Sequence, residues 1–135
     1  MNIVERMEAA RERIERVAPE DLAVAEDVLV IDLRCREDRA RDGVIPGSVA
    51  VPMTVLEWRC DPASPFASPL VATPERRTIV HCTDGYTSSL AADSLRDLGF
   101  ERAGDLIGGL RAWVAAGLPV ASVDDQIEAG YEPPT

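Results

Sequence analysis

The sequence predicts an α/β domain built on a mainly parallel sheet, and three observations carry that prediction. Near-continuous apolar runs, VLVIDLR (28–34) and TIVHC (78–82), are short and run into polar residues, as strands buried on both faces do. Segments with a helical apolar period follow them, at SSLAADSLRDLGF (88–100) and LRAWVAAGLP (110–119). Glycine and proline punctuate the joins. Strands and helices that alternate in this way close into a parallel sheet with helices on its faces.

Taken in order, residues 2–17 (NIVERMEAARERIERV) place Ile3, Met7, Ala10, Ile14 and Val17 on one stripe, with Glu8–Arg11 and Glu12–Arg16 as charge pairs outside it. A helix through residue 17 is expected, either packed on its own domain or forming the seam of a homodimer. APEDLAVA (18–25) is a proline-led short helix, and 28–34 is the first strand. VIPGSVAVP (44–52) holds a turn and a second short strand, and TVLEWRCDP (54–62) begins as a helical turn. DPASPFASPLVATPE (61–75) is a surface loop by its proline and serine content. TIVHC is the third strand, and the helix from about Ser88 stops at Gly99. RAGDLIGG (102–109) supplies the fourth strand, and the last helix is closed by Gly117 and Pro119. SVDDQIEAGYEPPT (122–135) is acidic and proline-ended, so poor order is expected beyond its first residues. The chain thus divides into an N-terminal amphipathic extension (1–16), a domain (17–120) and an acidic tail (121–135).

At 135 residues with 46% apolar composition, the chain supports one domain with one sizeable core. Its formal charge of −10 argues against nucleic acid or an anionic membrane as partner, since both select clustered cations. All 14 basic residues are arginine, which reads as the codon habit of a GC-rich, bacterial genome. Three cysteines, no leader-like start and no long apolar run suggest a cytoplasmic chain with free thiols. A metal site is not expected. The single histidine, His81, is the neighbour of Cys82, and adjacent residues on a strand point to opposite faces.

The chemistry concentrates in HCTDGYTSS (81–89). Cys82 ends a strand, a short glycine-containing loop follows, and a helix begins. Ligands of parallel sheets gather at this end of the strands. Backbone N–H groups of such a loop and of the first helical turn can converge on one point and hold negative charge there, which makes a cysteine at that point a nucleophile. The candidate loop is Thr83, Asp84, Gly85, Tyr86, Thr87 and Ser88 around Cys82. Thr87 and Ser88 could give hydroxyl hydrogen bonds to an oxyanion, and Thr87 could equally be a plain helix cap.

Four stretches carry a resemblance. Cys82-x-x-Gly85-x-Thr87-Ser88-x-x-Ala91-Ala92-x-x-Leu95-x-x-x-Gly99-Phe100 resembles the active-site segment of rhodanese-like sulfurtransferases. Asp32-Leu33-Arg34 resembles the family's D-x-R, and Gly43-Val44-Ile45-Pro46-Gly47-Ser48 its G-H-I-P-G-A, with Val44 in the histidine's place. Leu106-Ile107-Gly108-Gly109, Trp113 and Gly117-Leu118-Pro119-Val120 resemble its closing segment. The resemblance covers about residues 17 to 120. It implies a three-layer sandwich and transfer of a sulfane sulfur through a Cys82 persulfide. The donor would be a small anion such as thiosulfate or 3-mercaptopyruvate, or a persulfide, and the acceptor a thiol or cyanide. No metal or organic cofactor is implied.

One departure bears on mechanism. Family members that use thiosulfate carry a cation in this loop, often arginine where this chain has Thr87. Here the loop carries Asp84 instead. Pointing inward, at roughly 6 Å from an anion and an effective dielectric near 20, it would repel by about 2–3 kcal/mol. Pointing outward, it would be screened. Arg34, after the first strand, and Arg59, after the second, are candidates to supply the missing charge. Cys35 and Cys60 are candidates for relay thiols, and Trp58 for core or pocket wall. The phosphatase relatives of this motif need arginine six positions after the cysteine, and that position is Ser88. A binding or sulfur-sensing module that has lost turnover is the alternative.

Overall fold

The computed structural model describes residues 1–130. The strands are β1 (Glu15–Val17), β2 (Val28–Asp32), β3 (Val49–Ala50), β4 (Arg77–His81), β5 (Ala103–Leu106) and β6 (Ile127–Glu128). The helices are α1 (Ile3–Arg13), α2 (Pro19–Ala23), α3 (Arg36–Asp42), α4 (Leu56–Cys60), α5 (Thr87–Asp97) and α6 (Gly109–Ala115). The six strands lie in the order β1-β5-β4-β2-β3-β6, and every pairing is parallel.

Alternation along the central strands builds two cores. Leu29, Ile31 and Val80 face one side, where they meet Leu56, Leu95 and Phe100 beneath α4 and α5. Val30 and Ile79 face the other, where they meet Leu22 of α2 and Leu110 and Trp113 of α6. The result is the expected sandwich of helices, sheet and helices. Trp113 is tied to the chain end of its own helix by Nε1–H, which donates to the Pro119 carbonyl at 2.8 Å.

Two expectations change. The first helix stops at Arg13, and Ile14 is already extended (φ −116°, ψ 163°). Glu15, Arg16 and Val17 instead pair in parallel with Gly104, Asp105 and Leu106. The helical stripe fitted all five apolar positions, but sheet pairing claims the last one. Ile14 packs against the α5-side core, while Val17 belongs to the α6-side core. The helix itself is well begun. Asn2 accepts from the Glu5 N–H at 2.9 Å, and its own amide donates to the Glu5 carboxylate. It lies on α5 with Ala10 fully buried.

The second change is the tail. Up to Gly130 it is ordered into the fold, and the part of that expectation on 131–135 lies outside the described residues. A 3-10 turn at Val123–Asp125 leads to β6, which pairs with β3. Ala129 is buried, and Gln126 Nε2 donates to Asp32 Oδ2 and to Ser48 Oγ. Polar composition concealed a segment whose polar groups are satisfied internally. The helix α3 was also not foreseen, being too charged to show an apolar stripe.

Deleting residues 122–135 removes β6, the buried Ala129 and the Gln126 bonds. A fall in Tm of at least about 5 °C is expected by thermal circular dichroism; an unchanged midpoint would show that the strand adds nothing.

Candidate functional site

Strand β4 delivers His81 and Cys82 to the carboxyl end of the sheet, and α5 begins five residues later at Thr87. As adjacent strand residues should, the two part company. His81 is fully buried, with Nε2 3.8 Å from Asp32 and Nδ1 3.2 Å from the Cys82 carbonyl. Burial pushes His81 below its ordinary range, outweighing the pull of Asp32. Cys82 is half-buried and lies on the side of the loop.

The loop's polarity follows from where its carbonyls go. The Cys82 carbonyl accepts from the Leu110 N–H at 3.0 Å, and that of Thr83 from the Arg111 N–H at 3.1 Å. The Gly85 carbonyl accepts from Arg11 Nη2 at 2.9 Å and that of Tyr86 from the Ser89 N–H at 3.1 Å. By contrast, no backbone carbonyl among the described residues takes the N–H groups of Thr83, Asp84, Tyr86, Thr87 or Ser88. The Gly85 N–H donates to Cys82 Sγ at 3.3 Å. Four loop carbonyls, those of Cys82, Thr83, Gly85 and Tyr86, are thus engaged while N–H donors remain for a ligand, which is the arrangement an anion site needs.

Two glycines make this possible. Gly85 has φ +86°, and a Cβ there would stand 2.8 Å from the Gly108 nitrogen. Gly109 lets α6 start directly under the loop; a Cβ there would stand 2.5 Å from the Cys82 oxygen.

Beneath the loop lies a buried carboxylate that sequence reasoning passed over. Asp105 of β5 is fully buried and accepts from Arg16 Nε at 2.9 Å and from the hydroxyls of Ser88 and Ser89, each at 2.8 Å. Arg11 Nε adds a bond to Ser89 Oγ at 3.0 Å. The network ties α1, β1, β5 and the start of α5 to the back of the Cys82 loop. An ionisable residue inside an otherwise buried strand was the available signal. It also fixes the role of Ser88, whose hydroxyl is committed to Asp105 and turned from the cup. Thr87 and Tyr86 are exposed at the rim.

The remaining candidates sort clearly. Arg34 is buried, and its guanidinium donates to Asp32 and to the Gly43 carbonyl. Burial works to raise the Asp32 carboxyl, but His81, Arg34 and Gln126 together bring it below the usual carboxylate range. Arg59 is also buried and donates to the carbonyls of Ala129 and Phe66, pinning the 61–76 loop to the tail. Both guanidinium groups are thus engaged with internal acceptors. Trp58 is more than half exposed, on α4. Cys60 is fully buried, and burial, with a smaller push from Glu57, raises its thiol to about 12. Such a thiol is inert as a relay. Cys35 is exposed at the start of α3.

Asp84 points outward. Its carboxylate meets Arg111 Nε at 3.1 Å, with the two side chains 42% and 74% exposed. A pair this exposed contributes only about 0–1 kcal/mol. From Thr83, a groove of about 400 Å³ runs past Leu110, Arg111 and Val114 to Arg41 and Asp42.

The family model for the rhodanese-like domain matches residues 18–116. The chain belongs to that family. A sulfurtransferase from Allochromatium vinosum is 31% identical over 101 residues, 75% of this chain and 85% of that protein. Among solved structures, a Rhodopseudomonas palustris protein of unknown function, described as a possible tyrosine phosphatase, superposes with a TM-score of 0.84 at 32% identity. It covers 90% of this chain and 95% of its own. A thiosulfate sulfurtransferase from Pseudomonas aeruginosa matches with a TM-score of 0.68 at 24% identity, over 88% of this chain and 21% of that one, a likeness of fold.

Two outcomes are expected from this geometry. Asp105→Ala strips the shared acceptor from a half-buried arginine and two buried hydroxyls, so stability should fall by about 2–3 kcal/mol in urea unfolding; a loss below about 1 kcal/mol would show that the network is not needed. Iodoacetamide at about pH 8 should label Cys82 and Cys35 of the native protein and spare Cys60, because a thiol raised that far stays protonated. Peptide mass mapping reads all three.

Proposed function

We propose that this rhodanese-like chain is a sulfurtransferase that carries a sulfane sulfur as a persulfide on Cys82. The observation that supports this most is the loop's partition of polar groups: the carbonyls of Cys82, Thr83, Gly85 and Tyr86 are engaged, loop N–H groups are not, and the Gly85 N–H donates to Cys82 Sγ. In the first step Cys82 Sγ attacks the outer sulfur of the donor. A new S–S bond forms, and the donor's old bond to that sulfur breaks, its electron pair leaving with sulfite, the enolate of pyruvate or a thiolate. In the second step the acceptor thiolate or cyanide attacks the outer sulfur. The Cys82 S–S bond breaks and its pair returns to Sγ. Electrons balance without an outside oxidant or reductant.

The loop N–H groups would stabilise the negative outer sulfur between the two steps, and the Asp105 network would keep them aimed without movement. Phosphate-ester chemistry is disfavoured. It needs a guanidinium six positions beyond the cysteine, and Ser88 there is bonded to Asp105. Thr87 at the rim leaves the loop itself without a cation, which keeps the binding or sulfur-sensing module as a second reading.

Incubated with a panel of thiosulfate, 3-mercaptopyruvate and glutathione persulfide, the intact protein should gain the mass of one sulfur. Cys82→Ser should not. Release of that sulfur to cyanide or a thiol at a turning-over rate supports the enzyme; loading without release supports the sensor; equal mass gain by Cys82→Ser overturns both.

A further inference from the structure

The geometry points to Arg111 as the anion-binding residue of the Cys82 site, with Asp84 holding it in reserve so that the pair selects donors by charge. This rests on the sulfur-transfer reading above and adds the residue and the substrate class.

Most arginines near the sheet's carboxyl end are engaged elsewhere. Arg34 and Arg59 are buried and bound to internal acceptors. Arg11 and Arg16 approach the loop from behind, on the Gly85 carbonyl and on Asp105. Arg39 is buried against the Arg34 carbonyl and Glu128. Arg41 is clamped by both Asp42 and Asp38. Arg111 differs from all of these. Its backbone N–H is bonded to the Thr83 carbonyl, one residue from Cys82, so its root is fixed beside the loop. Its guanidinium has one carboxylate partner among the described residues, Asp84, and both are well exposed to water.

An exposed pair is weak, so exchanging one carboxylate for another costs little. A donor whose sulfur enters the cup and whose own anionic group reaches the groove can therefore take Arg111 from Asp84. The groove beyond, lined by Leu110, Val114, Arg41 and the Asp42 that pairs with Arg41, holds the rest of the molecule. Asp84 stays nearby after the exchange. A single carboxylate or sulfonate is balanced by Arg111, whereas a second charge meets Asp84 and the sulfur of Cys82. The favoured class is thus a singly charged organic persulfide or mercapto acid, ahead of a compact dianion such as thiosulfate.

The test separates this proposal from sulfur transfer by alkylating Cys82 with iodoacetate and with iodoacetamide, reading each rate by peptide mass mapping. The ratio of the two rates reports how well the cup tolerates an anion. Arg111→Gln should lower that ratio about three- to tenfold, and Asp84→Asn should raise it by a similar factor. Arg102→Gln, in the segment leading into the amino end of β5, should leave it unchanged. An unmoved ratio in Arg111→Gln or in Asp84→Asn, or an equal drop in Arg102→Gln, overturns the proposal. Asp84→Asn should also raise kcat/KM for thiosulfate more than for 3-mercaptopyruvate, and an equal effect on both counts against the charge selection. If the alkylation ratios move as expected while no donor leaves sulfur on Cys82, the anion site stands and the sulfurtransferase reading falls.

Discussion

A peptide loop gathers negative charge only when its own carbonyls are occupied elsewhere, and in this chain the start of α6 meets that condition for the Cys82 loop. The N–H groups of Leu110 and Arg111 have no intrahelical partner in the first turn, and they take the Cys82 and Thr83 carbonyls. One set of orphan donors satisfies one set of orphan acceptors. What is left over is a set of loop N–H groups without backbone partners among the described residues, one of which, that of Gly85, meets the sulfur. The glycines at 85 and 109 follow from this contact, because a side chain at either position would hold α6 and the loop apart. The site is therefore made by two helix starts, that of α5 and that of α6, brought together at neighbouring strands β4 and β5.

The same contact places the charges. It roots Arg111 beside the Cys82 loop, where Asp84 pairs with it. The buried Asp105 performs a parallel task on the other side, drawing in Arg16 and two serine hydroxyls. The loop thus has an arginine-bearing carboxylate pair in front and another behind, one wet and exchangeable, one dry and fixed. That difference in solvation separates a binding role from a positioning role for chemically similar groups.

Much of this was legible in the sequence because it is local. The central strands, the α5 stop at Gly99 and Cys82 itself are written in short windows, and they stand where the patterns put them. What escaped is tertiary. Val17 satisfies a helical stripe and a strand equally well, and only pairing with Leu106 decides between them. Gln126 and Ala129 look like tail until Asp32 and the core are seen waiting for them. Arg34 and Arg59 sit at plausible positions along the chain, yet burial binds them to carbonyls, whereas Arg111 comes from a helix 29 residues past the cysteine. Which arginine reaches a site depends on contacts that spacing does not encode.

The two flanks of the sheet carry a last consequence. β1 has three residues and β6 has two, and their side chains include Glu15, Arg16 and Glu128. Fringes so brief and so charged offer little template for another molecule's backbone to latch onto, so ribbon-like stacking of chains into fibrils is discouraged at both sides. Self-association, where it occurs, is left to helix faces, away from the end of the sheet that carries Cys82.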